Sequence, residues 1–117
     1  MRAFNRTRGS LLCSNLRVAD SHKSRFIGLI GTPVARFGEG DGLWITPCLG
    51  IHTFFMSFAI DAAYLDKESR VVHMEMALKP WRIGATRWNS SSVLELPAGT
   101  LQRSETEVGD VIEFRDR

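Results

Sequence analysis

The sequence lacks a long apolar run, a strong charge excess, an internal repeat and a rich cysteine complement. Each shortage removes a class of protein. A membrane-spanning helix needs about 20 mostly apolar residues. The richest apolar stretch here, "GIHTFFMSFAIDAAYLD" at 50–66, is broken by His52 and Asp61, and "DKESR" ends it. Both polar residues would be costly inside a bilayer, so no membrane role is expected. Arg2, Arg6 and Arg8 crowd the start, but "SLLCSNLRVAD" after them is interrupted by polar residues. A secretory signal would need an apolar region of about 7–15 residues there. The 2 cysteines, Cys13 and Cys48, without such a signal suggest reduced thiols in a cytoplasmic protein. A net charge of +2 is too small to argue for nucleic acid.

What is present is ordinary for a soluble globular domain: 44% hydrophobic and 24% charged residues. A length of 117 residues fits a single domain. Residues 1–9 read as a flexible, solvated basic end, and 10–117 as one β-rich domain.

"SLLCSNLRVAD" reads as a first strand, with Leu12, Leu16 and Val18 on one side. "DSHKSRFIGLIG" reads as a short helix over 21–30, capped by Asp20 or Ser21 and ended by Gly31. "TPVARFGEGDG" is a turn-rich loop. Strand signals follow in "GLWITP" and the 51–65 stretch. Fully extended, 51–65 would reach about 50 Å. A domain of this length is only about 35 Å across. The stretch must therefore bend, and Ser57 and Ala59 are the expected place, giving two strands, "IHTFFM" and "AIDAAYLD". "RVVHMEMAL" reads as the return strand of a hairpin, and "KPWRIGATRWNSSS" as a long loop carrying Trp81 and Trp88. Residues 93–96 and 108–114 are strand-like, with Gly109 and Asp110 forming a tight turn. The expectation is a mainly β single domain with one short N-terminal helix, built as a β-sandwich or partly closed barrel.

Several of these stretches also occur together as one family's ordered motifs. They are "SRFIGLIG", "GDGLWI", "IHTFFMSFAIDAAYLDKESRVV", "VLELPAG" and "VGDVIEF". The chain resembles the domain of unknown function 192 family over roughly residues 10–114. The matching positions are Arg25, Gly28 and Leu29; Gly42; Met56 and Asp61; 94–99; and Gly109 with Asp110. Ile30 stands where the family commonly has Met, Trp44 and Ile45 replace Leu-Phe, and "FFMSF" replaces Trp-Met-Lys-Asn. The resemblance implies a small, mainly β domain and implies no activity.

Chemistry-bearing residues are sparse. Cys48 and His52 are spaced C-x-x-x-H, with His73 one hairpin away. Structural zinc wants three or four ligands with defined spacing, so no metal and no cofactor is expected. A Cys48–His52 nucleophilic pair lacks a third, orienting group. "GEGDG" precedes a strand and so lacks the helix terminus a phosphate loop uses. Asp61, Glu95 and Asp110 sit in or beside apolar stretches, where a carboxyl's pKa can rise. Asp110 reads as a turn residue. Glu95, alternating with Leu94 and Leu96, reads as facing water. Asp61 ranks first as a functional candidate. The favoured function is a small-ligand-binding or accessory module. Its aromatic-lined pocket would use His52, Met56 and Asp61, with Trp81 or Trp88 over it and Arg25 available for an anion or carboxylate. The ligand or partner is an unidentified small molecule or protein. One alternative is a hydrolase-like or transferase-like enzyme using Asp61 with His52 or Glu95. Another is a module that docks a partner through an exposed strand edge.

Overall fold

A computed structural model describes residues 1–116. In chain order it contains β1 (Arg2–Asn5), β2 (Ser10–Cys13), β3 (Asn15–Ala19), α1 (His22–Ile27), a 3-10 turn (Val34–Arg36), β4 (Asp41–Ile45) and β5 (Gly50–His52). There follow β6 (Ile60–Leu65), β7 (Val71–Leu78), β8 (Ile83–Thr86), β9 (Ser92–Pro97), α2 (Thr100–Arg103) and β10 (Ile112–Arg115). A five-stranded sheet has the order β3-β4-β9-β6-β7, a three-stranded sheet the order β10-β1-β2, and β5 and β8 form a separate ribbon. β3 and β4 pair in parallel. The other pairings are antiparallel. None of these sheets closes into a barrel, which corrects the barrel alternative. The fold is mainly β, as expected, but it holds a second helix, α2, that the sequence reading did not include.

The large sheet has two apolar faces because side chains alternate along each strand. On β6, Ala63 and Leu65 join one cluster with Leu12, Leu94, Leu96, Leu101 and Ile112. This face packs against the three-stranded sheet and α2. Ala62 and Tyr64 point the other way and join Val93, while Ile60 meets Leu29, Leu43, Ile45 and Met56. The second face is covered by the segment after α1 and by the β5–β8 ribbon. Burial on both faces explains why β6 is buried at every position and why "IDAAYL" shows no clean polar alternation.

Residues 1–9 correct the expectation of a loose end. β1 is the middle strand of its sheet, and Ala3 and Asn5 are fully buried. Arg8 donates to Asp110 and Glu107. "SLLCSNLRVAD" is likewise two strands rather than one. It breaks at Ser14, where the Ser14 and Asn15 amides both donate to Gly40 O, so β2 joins the small sheet and β3 the large one.

Ser21 caps α1, but the helix runs only over His22–Ile27, short of the 21–30 span and the Gly31 end expected from the sequence. The Ser21 hydroxyl accepts from Ser24 N–H and the Ser24 hydroxyl accepts from Ser21 N–H, a reciprocal cap. The helix stops at Gly28, whose φ of +48° suits glycine. The 51–65 stretch does break, as the length argument requires. The molecule measures only 33 × 30 × 24 Å. However, the break spans residues 53–59, and of "IHTFFM" only Ile51 and His52 are in a strand.

Candidate functional site

A cleft of about 750 Å³ opens on the second face of the large sheet. Its walls come from the end of α1 and the following turn (Arg25, Ile27, Leu29), the loop entering β5 (Pro47, Cys48, Leu49) and β5 itself (Ile51, His52). Met56 and Ile45 add apolar surface, and Ser90, Ser91 and Glu95 complete the lining. The peptide between Thr46 and Pro47 is cis.

Glu95 is the unusual member. It lies mid-strand on β9, whose side chains alternate: Leu94 and Leu96 enter the first core, while Val93 and Glu95 face the cleft side. Its neighbours across the sheet are Leu43 on β4 and Ala62 on β6. Neither offers a charge or a hydrogen bond, and Ala62 leaves space beside the carboxyl. Glu95 is 2% exposed, and its Oε1 is buried without a hydrogen-bond partner. Burial pushes its pKa up to about 8, so the group is mostly a neutral acid at neutral pH. The reading that Glu95 faces water is therefore corrected. Alternation with leucines was the right pattern, but both faces of β9 are covered.

The remaining polar groups of the cleft are largely satisfied within the protein. The Cys48 thiol donates to Gly50 O at 3.1 Å, and burial pushes its pKa up. It is a protonated thiol, poorly suited to nucleophilic attack. Ser90 Oγ lies 3.0 Å from both Cys48 O and Ser92 O. His52 Nδ1 accepts from Phe54 N–H at 3.2 Å, which leaves the neutral ring its proton on Nε2. Arg25 donates to Pro47 O at 3.1 Å and Ser21 O at 3.4 Å, and its Nη2 lies 3.1 Å from His22 Nδ1.

The structure thus brings Arg25, His52 and Met56 together and leaves the other expected pocket residues outside. Asp61 points to the opposite face of the sheet, because it is out of phase with Ile60 and Ala62. There it is fully buried and accepts three backbone hydrogen bonds, from Ala77 at 2.8 Å, Gly99 at 3.1 Å and Leu101 at 2.9 Å. An Asp61–His52 or Asp61–Glu95 pair is not formed. Trp81 is exposed and packs on Phe55 with ring centroids 4.7 Å apart. Trp88 is 84% exposed. Neither lies over the cleft. Gly109 has φ +98° in the turn before β10, and Asp110 accepts from Asn5, Arg8 and the Glu107 amide. Burial works against the Asp110 charge, but those hydrogen bonds outweigh it and hold the carboxyl below its usual range. Among the described residues no cluster of three His, Cys, Asp or Glu side chains could hold a metal.

The family model DUF192, described as "Uncharacterized ACR", matches residues 3–114. A UPF0127 protein of Thermococcus sibiricus is 30% identical over 116 residues, covering 95% of this chain and 73% of the relative. One from Pyrococcus furiosus is 30% identical over 116 residues, covering 95% of this chain and 96% of its own length. A crystal structure of a protein of unknown function from Novosphingobium aromaticivorans superposes with a TM-score of 0.83 at 16% identity, over 97% of this chain and 84% of that one. This last likeness speaks to the fold alone.

Proposed function

The chain belongs to the DUF192 family, and from that premise we propose that it is a small-ligand-binding module whose binding site is the cleft walled by Arg25, Cys48, His52, Met56 and Glu95. One observation carries this reading. A carboxyl is buried without a hydrogen-bond partner on Oε1, and it lines a cavity of about 750 Å³. An unpaired buried polar group costs a fold about 1–3 kcal/mol. A group of this kind in a core strand needs a reason, and a ligand that completes its hydrogen bonding supplies one. The cavity has the size and mixed lining of small-molecule sites, with mostly aliphatic walls and a few polar groups.

The binding reading also fits the chemistry of the lining better than catalysis does. A neutral carboxylic acid offers one donor and one acceptor, His52 offers Nε2–H, and Arg25 retains free N–H donors. No activated nucleophile stands among them. The test is a titration followed by backbone amide NMR, using a panel of small amphipathic molecules. Shifts concentrated at 45–52, Met56, Ser90 and Glu95 are the expected result. Shifts confined to Trp81 and Trp88, or none from any compound, would refute the cleft as the site.

A further inference from the structure

We propose that the cleft takes an amphipathic monoanion, a small apolar carboxylate whose head meets Arg25 at the rim while its apolar body lies along Ile27, Ile45 and Ile51 toward Glu95. The proposal rests on the binding reading above and adds the ligand's charge.

Three observations support it. Among the residues lining the cleft, Arg25 is the one Lys or Arg and Glu95 the one Asp or Glu. Glu95 is buried and held protonated, so the fixed charge of the lining is the Arg25 guanidinium, which favours anions and opposes cations. Next, the Arg25 guanidinium meets only neutral acceptors: two carbonyls and an imidazole nitrogen. It forms no salt bridge among the described residues. Its five N–H donors are not exhausted by those contacts, and its planar fork suits a carboxylate. Last, apolar side chains stand exposed at the rim: Phe26 is 75% exposed, Ile27 41% and Leu49 40%. They can cover the ligand's body once the head is held.

Deeper in, the titratable groups near Glu95 are Cys48 and Tyr64, with Arg25 also within electrostatic reach of Cys48. Cys48 and Tyr64 are both held protonated by burial, and Tyr64 donates in turn to the Glu75 carboxyl at 2.6 Å, so the inner end offers no positive charge to a second anionic group. An apolar tail end or a neutral acceptor fits there, whereas a second anionic group would not. The competing chemistry is an ammonium ligand that draws the proton off Glu95 and pairs with it. The Arg25 guanidinium at the rim opposes that outcome.

Calorimetry at pH 7 with octanoate, octanol and octylamine separates these cases, using the wild-type chain and Arg25→Gln. Octanoate is expected to bind about tenfold or more tightly than octanol, with octylamine weakest. Arg25→Gln should weaken octanoate by about tenfold and change octanol by about twofold or less. Thermal unfolding checks that the variant is folded. Octylamine binding as tightly as octanoate would overturn the proposal while leaving the cleft as a binding site. Equal weakening of octanoate and octanol by Arg25→Gln would do the same. Binding of none of the three would overturn both readings.

Discussion

Two acidic side chains on neighbouring strands, Asp61 and Glu95, show how much a single position decides. Both stand in apolar stretches, and the sequence alone ranked Asp61 first. The structure gives Asp61 three amide donors and gives Glu95 Oε1 none. Asp61→Asn should therefore act on stability, since an amide nitrogen would face a backbone N–H. A loss of about 1–3 kcal/mol in chemical denaturation is expected, and an unchanged midpoint would contradict the role. Glu95 should behave in the opposite sense. The unfolded carboxyl titrates near ~4.3 and the folded one at about 8. Between these values the unfolded chain releases its proton while the folded chain keeps it. Stability thus falls as pH rises through that window and levels off above it. Glu95→Gln should melt higher than wild type at pH 8, by an amount on the order of a few kcal/mol, with the difference shrinking toward pH 4. A lower melting temperature for the variant at pH 8 would mean that the carboxylate has an ionic partner. Asp110 has the third pattern. Its folded pKa is depressed, so its contribution is present above the ordinary carboxylate range and is lost on acidification.

At the scale of elements, the ribbon β5–β8 fixes the position of His52 and Ile51, and it packs against the sheet through very close approach. A Cβ on Gly84 would sit 2.7 Å from Glu75 Oε1, 3.0 Å from the Tyr64 hydroxyl and 3.1 Å from Ile51 Cγ1. Those two polar groups are already committed to each other at 2.6 Å, and Tyr64 and Glu75 also bond the Ala85 backbone. Gly84→Ala should destabilise the fold by about 1–3 kcal/mol and weaken ligand binding by shifting the ribbon. Gly38, where a Cβ would meet nothing within 4 Å, is the control. Gly38→Ala should be neutral or slightly stabilising. Equal effects from the two substitutions, read by thermal unfolding, would count against the packing argument. Strand character and the break in 51–65 were legible because period-2 patterning and chain length are local arguments. The ribbon was not, since "IGAT" lies within a polar stretch and its pairing with Gly50 and His52 is set by distant packing. The inward direction of Glu95 was half legible: alternation assigned its face, but only the tertiary structure shows that face to be covered.

At the scale of the molecule, the proposed function would divide stability from binding between the two faces of the large sheet. Its first face is closed by the three-stranded sheet, and the cleft lies on the second. The division makes the N-terminus a structural keystone, although its arginines suggested a solvated end. Arg2–Asn5 pairs with β10 on one side and β2 on the other. Asn5 donates to Thr106 and Asp110, tying that strand to the turn before β10. Arg2 and Arg115 both lie over the Phe4 ring, at 5.3 Å and 4.5 Å from its centroid, so the basic residues are engaged in packing as much as in charge. Deleting residues 1–9 would separate β10 from β2 and strip cover from Leu12, Leu94, Leu96 and Ile112. Two strand edges and a broad apolar face would then meet water. The truncated chain should lose cooperative thermal unfolding and associate in solution, as seen by circular dichroism and light scattering. Asn5→Ala is the milder companion. It should cost about 1–3 kcal/mol by leaving buried Asp110 and Thr106 short of a donor, while ligand binding to the folded fraction stays unchanged. A truncated chain that melts cooperatively at the wild-type temperature would restore the picture of a loose basic end. Loss of ligand affinity in a folded Asn5→Ala would show that the two faces of the sheet do not act separately.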